Sequence, residues 1–237
     1  MSGTLRPDDR VAGGAGLRVY EKLRQEILDL ELPPDATLSR AELGERFSVS
    51  QTPVREALQA LEQDGLVKIF PQSRTIVTRI DEQELFETQF LRVAAETEVV
   101  RRLARMPNSQ SLERAKKLLN MQVTLVGDLD QMDMFSDLDR AIHRTLFEGV
   151  GMGNIHAMLQ RRQGALTRCQ RLELPMSGKM ETIIDFHRSI LERIEAQDPD
   201  GAASAMRAHL SGSISRVSAL RSQFPDFFIT TAEKTTA

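Results

Sequence analysis

Only four histidines occur in this chain of 237 residues, and three of them form a pattern with one aspartate. Asp139 and His143 stand four residues apart in the stretch DMFSDLDRAIHRTLFEG, a spacing that puts both on one face of a helix. His187 and His209 follow on two later helical stretches, each roughly one helix length farther along, so a bundle can bring all four side chains to one interior point. One carboxylate and three imidazoles make a borderline-hard N/O donor set suited to zinc, nickel, manganese or iron. Histidines at helical spacing are also ordinary core or surface residues, and the spacing alone leaves both readings open. His156 has no place in the pattern and reads as a surface or packing residue.

The elements that must position this set begin after Ile80, where helix follows helix with no convincing strand. The periodicity predicts helices at about 82–105, 110–127, 131–150, 153–173, 178–197 and 199–223, separated by breaks at Pro107, Gly127, Gly149 to Gly153, Pro175 with Gly178, and Pro199. Six helices with short connections imply an antiparallel all-α bundle. Residues 225–237 are expected to form a C-terminal tail that begins apolar and ends polar, with its last residues frayed.

A different pattern occupies residues 17–80. Ser39 followed by Glu42 is a helix-start signal, since each side chain can satisfy a backbone N–H that the first turn leaves free. Leu43 and Phe47 give this short helix an apolar face, and after the turn FSVS a second helix carries Val54, Ala57, Leu58 and Leu61 as a buried stripe. Pro53 falls in the first turn of the second helix, with Ser50 or Thr52 as its cap. The opposite face presents Gln51, Thr52, Arg55 and Gln59, groups able to hydrogen-bond base edges and phosphates in a major groove. Residues 66–70 and 75–80 read as a β-hairpin joined by Pro71, Gln72, Ser73 and Arg74. Together with a leading helix at 17–30, stopped by Pro33 and Pro34, these elements make a winged helix-turn-helix with Arg74 at the wing tip. Residues 1–16, with Gly3, Gly13, Gly14 and Gly16, are expected to be a mobile arm.

Bulk properties restrict the reading further. The length suffices for two domains, and 41% hydrophobic residues with no long apolar run or leader predict neither a membrane span nor export. The single cysteine, Cys169, cannot form an internal disulfide, which suits a reducing cytoplasm and a buried apolar role. The first 80 residues hold 11 Lys plus Arg and 12 Asp plus Glu, so DNA binding must rest on where cations sit. Arg40, Arg46, Arg55, Lys68 and Arg74 all fall in or beside the reading elements.

The run SVSQTPVREALQALEQDGLVKIFPQSRTIV resembles the signature of the GntR superfamily of bacterial transcription regulators, over about residues 17–80. Residues 82–223 resemble the FCD domain of its FadR branch, closest in helix count to the six-helix VanR-like subset. In that domain many members bind a metal through an Asp-x-x-x-His pair and two later histidines, which Asp139, His143, His187 and His209 match one by one. The resemblance implies a cytoplasmic homodimer on a palindromic operator, released or retained by a small organic or sugar acid beside a metal, most often zinc. Arg92 matches an arginine-then-glutamate feature of the domain's first helix and is expected to grip the acid, or else to pair with Glu96. One or two of Arg161, Arg162, Arg168 and Arg171 are expected to face the cavity.

Four departures stand out. Gln51 occupies a position where the family commonly has arginine, which replaces a guanine preference by an adenine preference. Asp35 stands where glycine usually follows proline. Ile142 replaces a frequent phenylalanine, and GVGMGN departs from the usual helix end. Two rival functions use the same four ligands. In one the metal itself is the signal, and in the other it activates water in a mononuclear enzyme, which would leave the winged helix unexplained.

Overall fold

Helical periodicity, caps and prolines resolve into eleven α-helices and one small sheet in the computed structural model, which describes residues 14–70, 74–106, 110–176, 178–212 and 214–229. Contacts divide the chain into two units: Met1–Asp81 with Phe224–Ala237, and Glu82–Gln223.

In the first unit, α1 (Gly14–Leu28) starts three residues before the expected Leu17. Residues 1–13 of the anticipated arm lie outside the described residues, but Gly14 to Gly16 are helical. Gly16 is there for space: a Cβ on it would lie 3.2 Å from Glu56 Oε2 and 3.5 Å from the Pro53 carbonyl oxygen. α1 thus comes close to α3 (Gln51–Gln63), and Val19, Leu23 and Ile27 pack with Val54, Ala57, Leu58 and Leu61 in one apolar core. α2 (Arg40–Phe47) is capped by Ser39, whose hydroxyl accepts from the Glu42 N–H. Ser50 is the N-cap residue of α3, with extended backbone and no side-chain cap bond. Tyr20 donates to Asp64 at 2.5 Å, tying α1 to the end of α3.

The wing contains a strand the hairpin pattern did not announce. β1 (Thr37–Leu38), β2 (Val67–Ile69) and β3 (Thr75–Val77) form an antiparallel sheet in the order β1-β3-β2, with Thr37 opposite Ile76 and Val67 opposite Val77. A two-residue strand is too short to show alternation, so only its pairing reveals it. The strands are shorter than expected, and the hairpin closes where Phe70 N–H donates to the Arg74 carbonyl at 2.8 Å. Residues 71–73 of the expected tip lie outside the described residues.

The apolar start of the C-terminal tail is part of this unit. Pro225–Phe227 forms a 3-10 turn, and Phe228 makes a parallel bridge with Ile80. Ile80 N–H donates to the Phe227 carbonyl at 2.7 Å, and Ile229 N–H donates back to Ile80 at 3.0 Å. Ile80 and Phe228 are both buried. Residues 230–237 of the predicted tail lie outside the described residues.

The second unit comprises α4 (Glu82–Ala104), α5 (Gln110–Val123), α6 (Met132–Gly149), α7 (Gly153–Arg162), α8 (Gly164–Glu173), α9 (Lys179–Glu195), α10 (Pro199–Ser211) and α11 (Val217–Gln223). Two of the six expected helices are therefore each divided. The 153–173 run opens at Gln163, where ψ is 12°, and buried Gly164 starts α8; the 199–223 run stops at Ser211 before Gly212. Gln163 is an ordinary helix former, and the local signal for that break is the single glycine beside it, Gly164. α10 packs against α4 and α9, and α5 packs against α6 and α9. Leu103, Phe135, Ile142, Leu146, Leu191 and Leu210 lie in the common core. Among the described residues no helix is long and apolar enough to cross a membrane.

Candidate metal centre and DNA-reading surface

The bundle brings the sequence-predicted donors together. Asp139 and His143 come from α6, His187 from α9 and His209 from α10, and one donor atom of each lies within 4.8 Å of the others. His143 Nε2 and His209 Nε2 are 3.2 Å apart, and His187 Nε2 is 3.4 Å from Asp139 Oδ1. Donors about 2.0–2.2 Å from one ion lie roughly 3–4 Å from each other, and these two spacings are compatible with that range. The three imidazoles are buried, and the Asp139 side chain keeps 22% of its surface exposed, which makes its side the more open one.

Two further residues hold the rings. His143 Nδ1 lies 2.5 Å from Glu96 Oε2, and Arg92 Nε donates to Glu96 Oε1 at 2.7 Å, both from α4. His187 Nδ1 lies 3.0 Å from Gln122 Oε1 on α5, while Gln122 Nε2 donates to the Phe135 carbonyl at 3.1 Å. The inner nitrogen of His187 is buried and has no hydrogen-bond partner, its approach to Asp139 being within ion-pair distance but not aligned for a bond. A buried orphan nitrogen needs an acceptor of its lone pair, and a cation supplies one. The donor set and its orphaned nitrogen therefore fit a divalent metal.

Electrostatics favour the ligand form of most of this set. Burial alone would raise the Glu96 carboxyl, but Arg92 and His143 hold it down at about 2. Burial also resists a charge on His143, yet the Glu96 carboxylate raises its pKa. Burial pushes His187 down to about 4 against the opposing pull of Asp139, and pushes His209 well below its ordinary value. Neutral imidazoles with free lone pairs are what a metal requires.

Arg92 is buried and sits on Glu96, the alternative already inherent in the spacing of four. Glu96 was legible only as a partner of Arg92, and Gln122 carried no signal, because amides at helical spacing are common surface residues. Arg161 and Arg162 are exposed, Arg171 pairs with Asp133 at 2.6 Å, and Arg168 is buried with its Nε donating to the Gly164 carbonyl. Cys169 is buried as expected, and burial pushes its thiol up to about 12, leaving it unreactive. His156 packs against Phe147 with ring centroids 5.3 Å apart.

On the winged helix, Ser50 at the cap of α3 and Gln51, Thr52, Arg55 and Gln59 along it are all exposed, while its apolar stripe is buried. Arg40, the first residue of α2, and Arg74 beside the Phe70 ring are exposed as well. Arg46 differs from expectation. Its guanidinium is committed to the buried Glu26 carboxylate of α1 and lies 5.0 Å from the Phe47 ring, so much of its charge is spent inside the unit.

A domain model described as bacterial regulatory proteins, gntR family, matches residues 15–77, and the FCD domain matches residues 84–212. The chain belongs to the GntR family of regulators, with an FCD helical domain. It is 35% identical over 214 residues to an HTH-type transcriptional regulator in an unstable DNA locus of Streptomyces ambofaciens, covering 90% of this chain and 89% of that one. It is also similar to the HTH-type transcriptional repressor RspR of Escherichia coli, 27% identical with 89% and 92% covered. Among solved structures, Escherichia coli McbR/YncC shares the fold with a TM-score of 0.72 at 20% identity, covering 89% of this chain and 99% of that one. The protein is accordingly a bacterial transcription regulator, and the metalloenzyme reading falls, since the family and these relatives are regulators.

Proposed function

We propose that the protein is a homodimeric repressor whose hold on a palindromic operator is set by a small organic or sugar acid bound beside a metal in the helical unit. The observation that carries this reading is the convergence of Asp139, His143, His187 and His209 with a buried, unpartnered nitrogen in a domain joined to a DNA-reading one. Zinc suits the imidazole-rich set, and nickel, manganese and iron remain chemically compatible. A bound metal polarises and orients the acid's carboxylate. Asp139 lies on the more open side, and Arg92, with Nε committed to Glu96, supplies further N–H donors.

Repression is supported by the relatives: besides RspR, the chain is 26% identical to the gluconate operon transcriptional repressor of Bacillus licheniformis over 190 residues, and that name includes a sugar acid. Self-association is supported by Phe86 and Phe90, two exposed rings one turn apart on α4, of which Phe90 is 74% exposed. Two copies of α3 would then enter successive major grooves about 34–36 Å apart, with Gln51, Thr52, Arg55 and Gln59 on base edges, and Ser50, Arg40 and Arg74 on the backbone. The acid releases DNA only to the extent that it prefers one arrangement of the dimer over the other. Acting on chromosomal operators, the protein works in the cytoplasm.

Thermal melting against a panel of small carboxylic and sugar acids, with zinc or nickel and again after chelation, tests this, because a ligand of the native state raises its apparent stability. A shift that needs acid and metal together supports the reading. A shift with metal alone overturns the acid and makes the ion structural or itself the signal, which operator titration with metal then resolves.

A further inference from the structure

We propose that Glu96 and Gln122 are positioning residues that set the tautomers of His143 and His187, so that both rings turn a bare Nε2 toward the metal. This rests on the metal reading above.

Each orientation follows from the far end of a hydrogen-bond chain. The Phe135 carbonyl can only accept, so Gln122 must present its amide Nε2 there, at 3.1 Å. That places Oε1, an acceptor, 3.0 Å from His187 Nδ1. His187 Nδ1 therefore carries the hydrogen, and Nε2, buried and unpartnered, carries the lone pair. The second chain ends in Arg92, which can only donate, and its Nε is 2.7 Å from Glu96 Oε1. The other carboxylate oxygen accepts from His143 Nδ1 at 2.5 Å, leaving Nε2 to face His209 Nε2 at 3.2 Å. The chains run through four different helices, and both end in groups whose polarity cannot reverse. Partners of this kind orient metal-bound histidines and raise their basicity. Among the described residues no such chain reaches His209, whose ring is set by packing against Phe186 and the other two imidazoles.

Glu96→Gln is the sharp test because it keeps shape and inverts logic. Arg92 still demands an oxygen, so the new amide turns its NH2 toward His143 Nδ1, which must then accept, and the ring hydrogen moves to Nε2. Long-range proton–nitrogen correlation spectra of the full-length, metal-free protein in alkaline buffer should show His143 and His187 as Nδ1–H tautomers in the wild type. In Glu96→Gln His143 alone should switch, and in Gln122→Met the His187 tautomer should lose its preference. Zinc affinity, measured by competition with a chromophoric chelator, should fall about 10- to 100-fold in each variant, with helix content unchanged. Nε2–H tautomers in the wild type, or an unaltered His143 tautomer with unaltered zinc affinity in Glu96→Gln, would overturn the proposal. If the wild type binds no zinc, the metal reading fails by itself, and the tautomers of the metal-free protein still decide the positioning role.

Discussion

Ile80 and Phe228, from distant parts of the chain, form a parallel β-bridge inside the DNA-binding unit. The segment after α11 thus returns to complete the unit that α1 begins, and Phe228 is 1% exposed there. Phe228→Ala should destabilise this unit by about 3–5 kcal/mol, the range for a buried phenylalanine removed from a core. Chemical denaturation should show the loss, and operator binding should weaken in parallel. An unchanged midpoint would mean that the strap contributes nothing to the winged helix.

Removing one ligand should separate the two units' properties. His187→Ala takes away a fully buried donor of the cluster and should abolish stoichiometric zinc uptake together with any response to acid. The winged helix, with a core of its own, should keep its operator affinity. Elemental analysis of the purified variant checks this, and one zinc per chain would remove His187 from the ligand set.

Base preference should follow Gln51. It is exposed in the first turn of α3, where an amide pairs with adenine and a guanidinium with guanine, each pair being worth about 1–3 kcal/mol of discrimination. Gln51→Arg should move the operator consensus at one position per half-site toward guanine in a selection from random sequence. The same consensus for both proteins would show that this side chain touches no base.

Asp35 departs from the family's glycine, and its φ of 66° explains what glycine does there. Aspartate tolerates the left-handed region, and Arg79 Nη2 holds its carboxylate at 2.7 Å. Asp35→Ala should cost about 1–2 kcal/mol, since it keeps the strain and loses the partner. Asp35→Gly should cost less, because relief of strain offsets the lost ion pair. Equal losses in urea melts would place the effect in the pair alone.

His156 should make the helical unit sensitive to mild acid. Burial, with smaller contributions from neighbouring charges, pushes its pKa down to about 4 from an ordinary 6.5. Between these values the unfolded chain binds a proton that the native ring refuses, so stability is full above about pH 6.5 and falls as pH drops toward 4. The shift corresponds to at most about 3 kcal/mol, and solvent screening of the partly accessible ring makes the loss smaller than that. His156→Leu should flatten that part of the profile in denaturation melts, and a slope unchanged by the substitution would assign it to other groups.

How much was legible follows from the range of each signal. The apolar stripe of α3, the Ser39 cap and the pairing of Asp139 with His143 are repeats within a few residues, and the local backbone turns them directly into shared faces. Arg92 with Glu96 was legible for the same reason, as a spacing of four on α4. β1 was not, since two residues have no period, and the break at Gln163 was marked only by the lone Gly164, a residue that helices also tolerate in their interior.

By itself, then, the amino-acid order determined the winged helix, the helical domain and the four residues, Asp139, His143, His187 and His209, that the bundle gathers, because each is written in local periodicity or in residue types at motif spacing. Only the tertiary structure decided that Gln122 serves His187, that Glu96 serves His143, that Arg46 belongs to Glu26, and that Phe228 belongs beside Ile80. These pairings join residues distant in the chain, and a polar side chain's partner is chosen by which helices pack together in a core that tolerates no unpaired donor or acceptor.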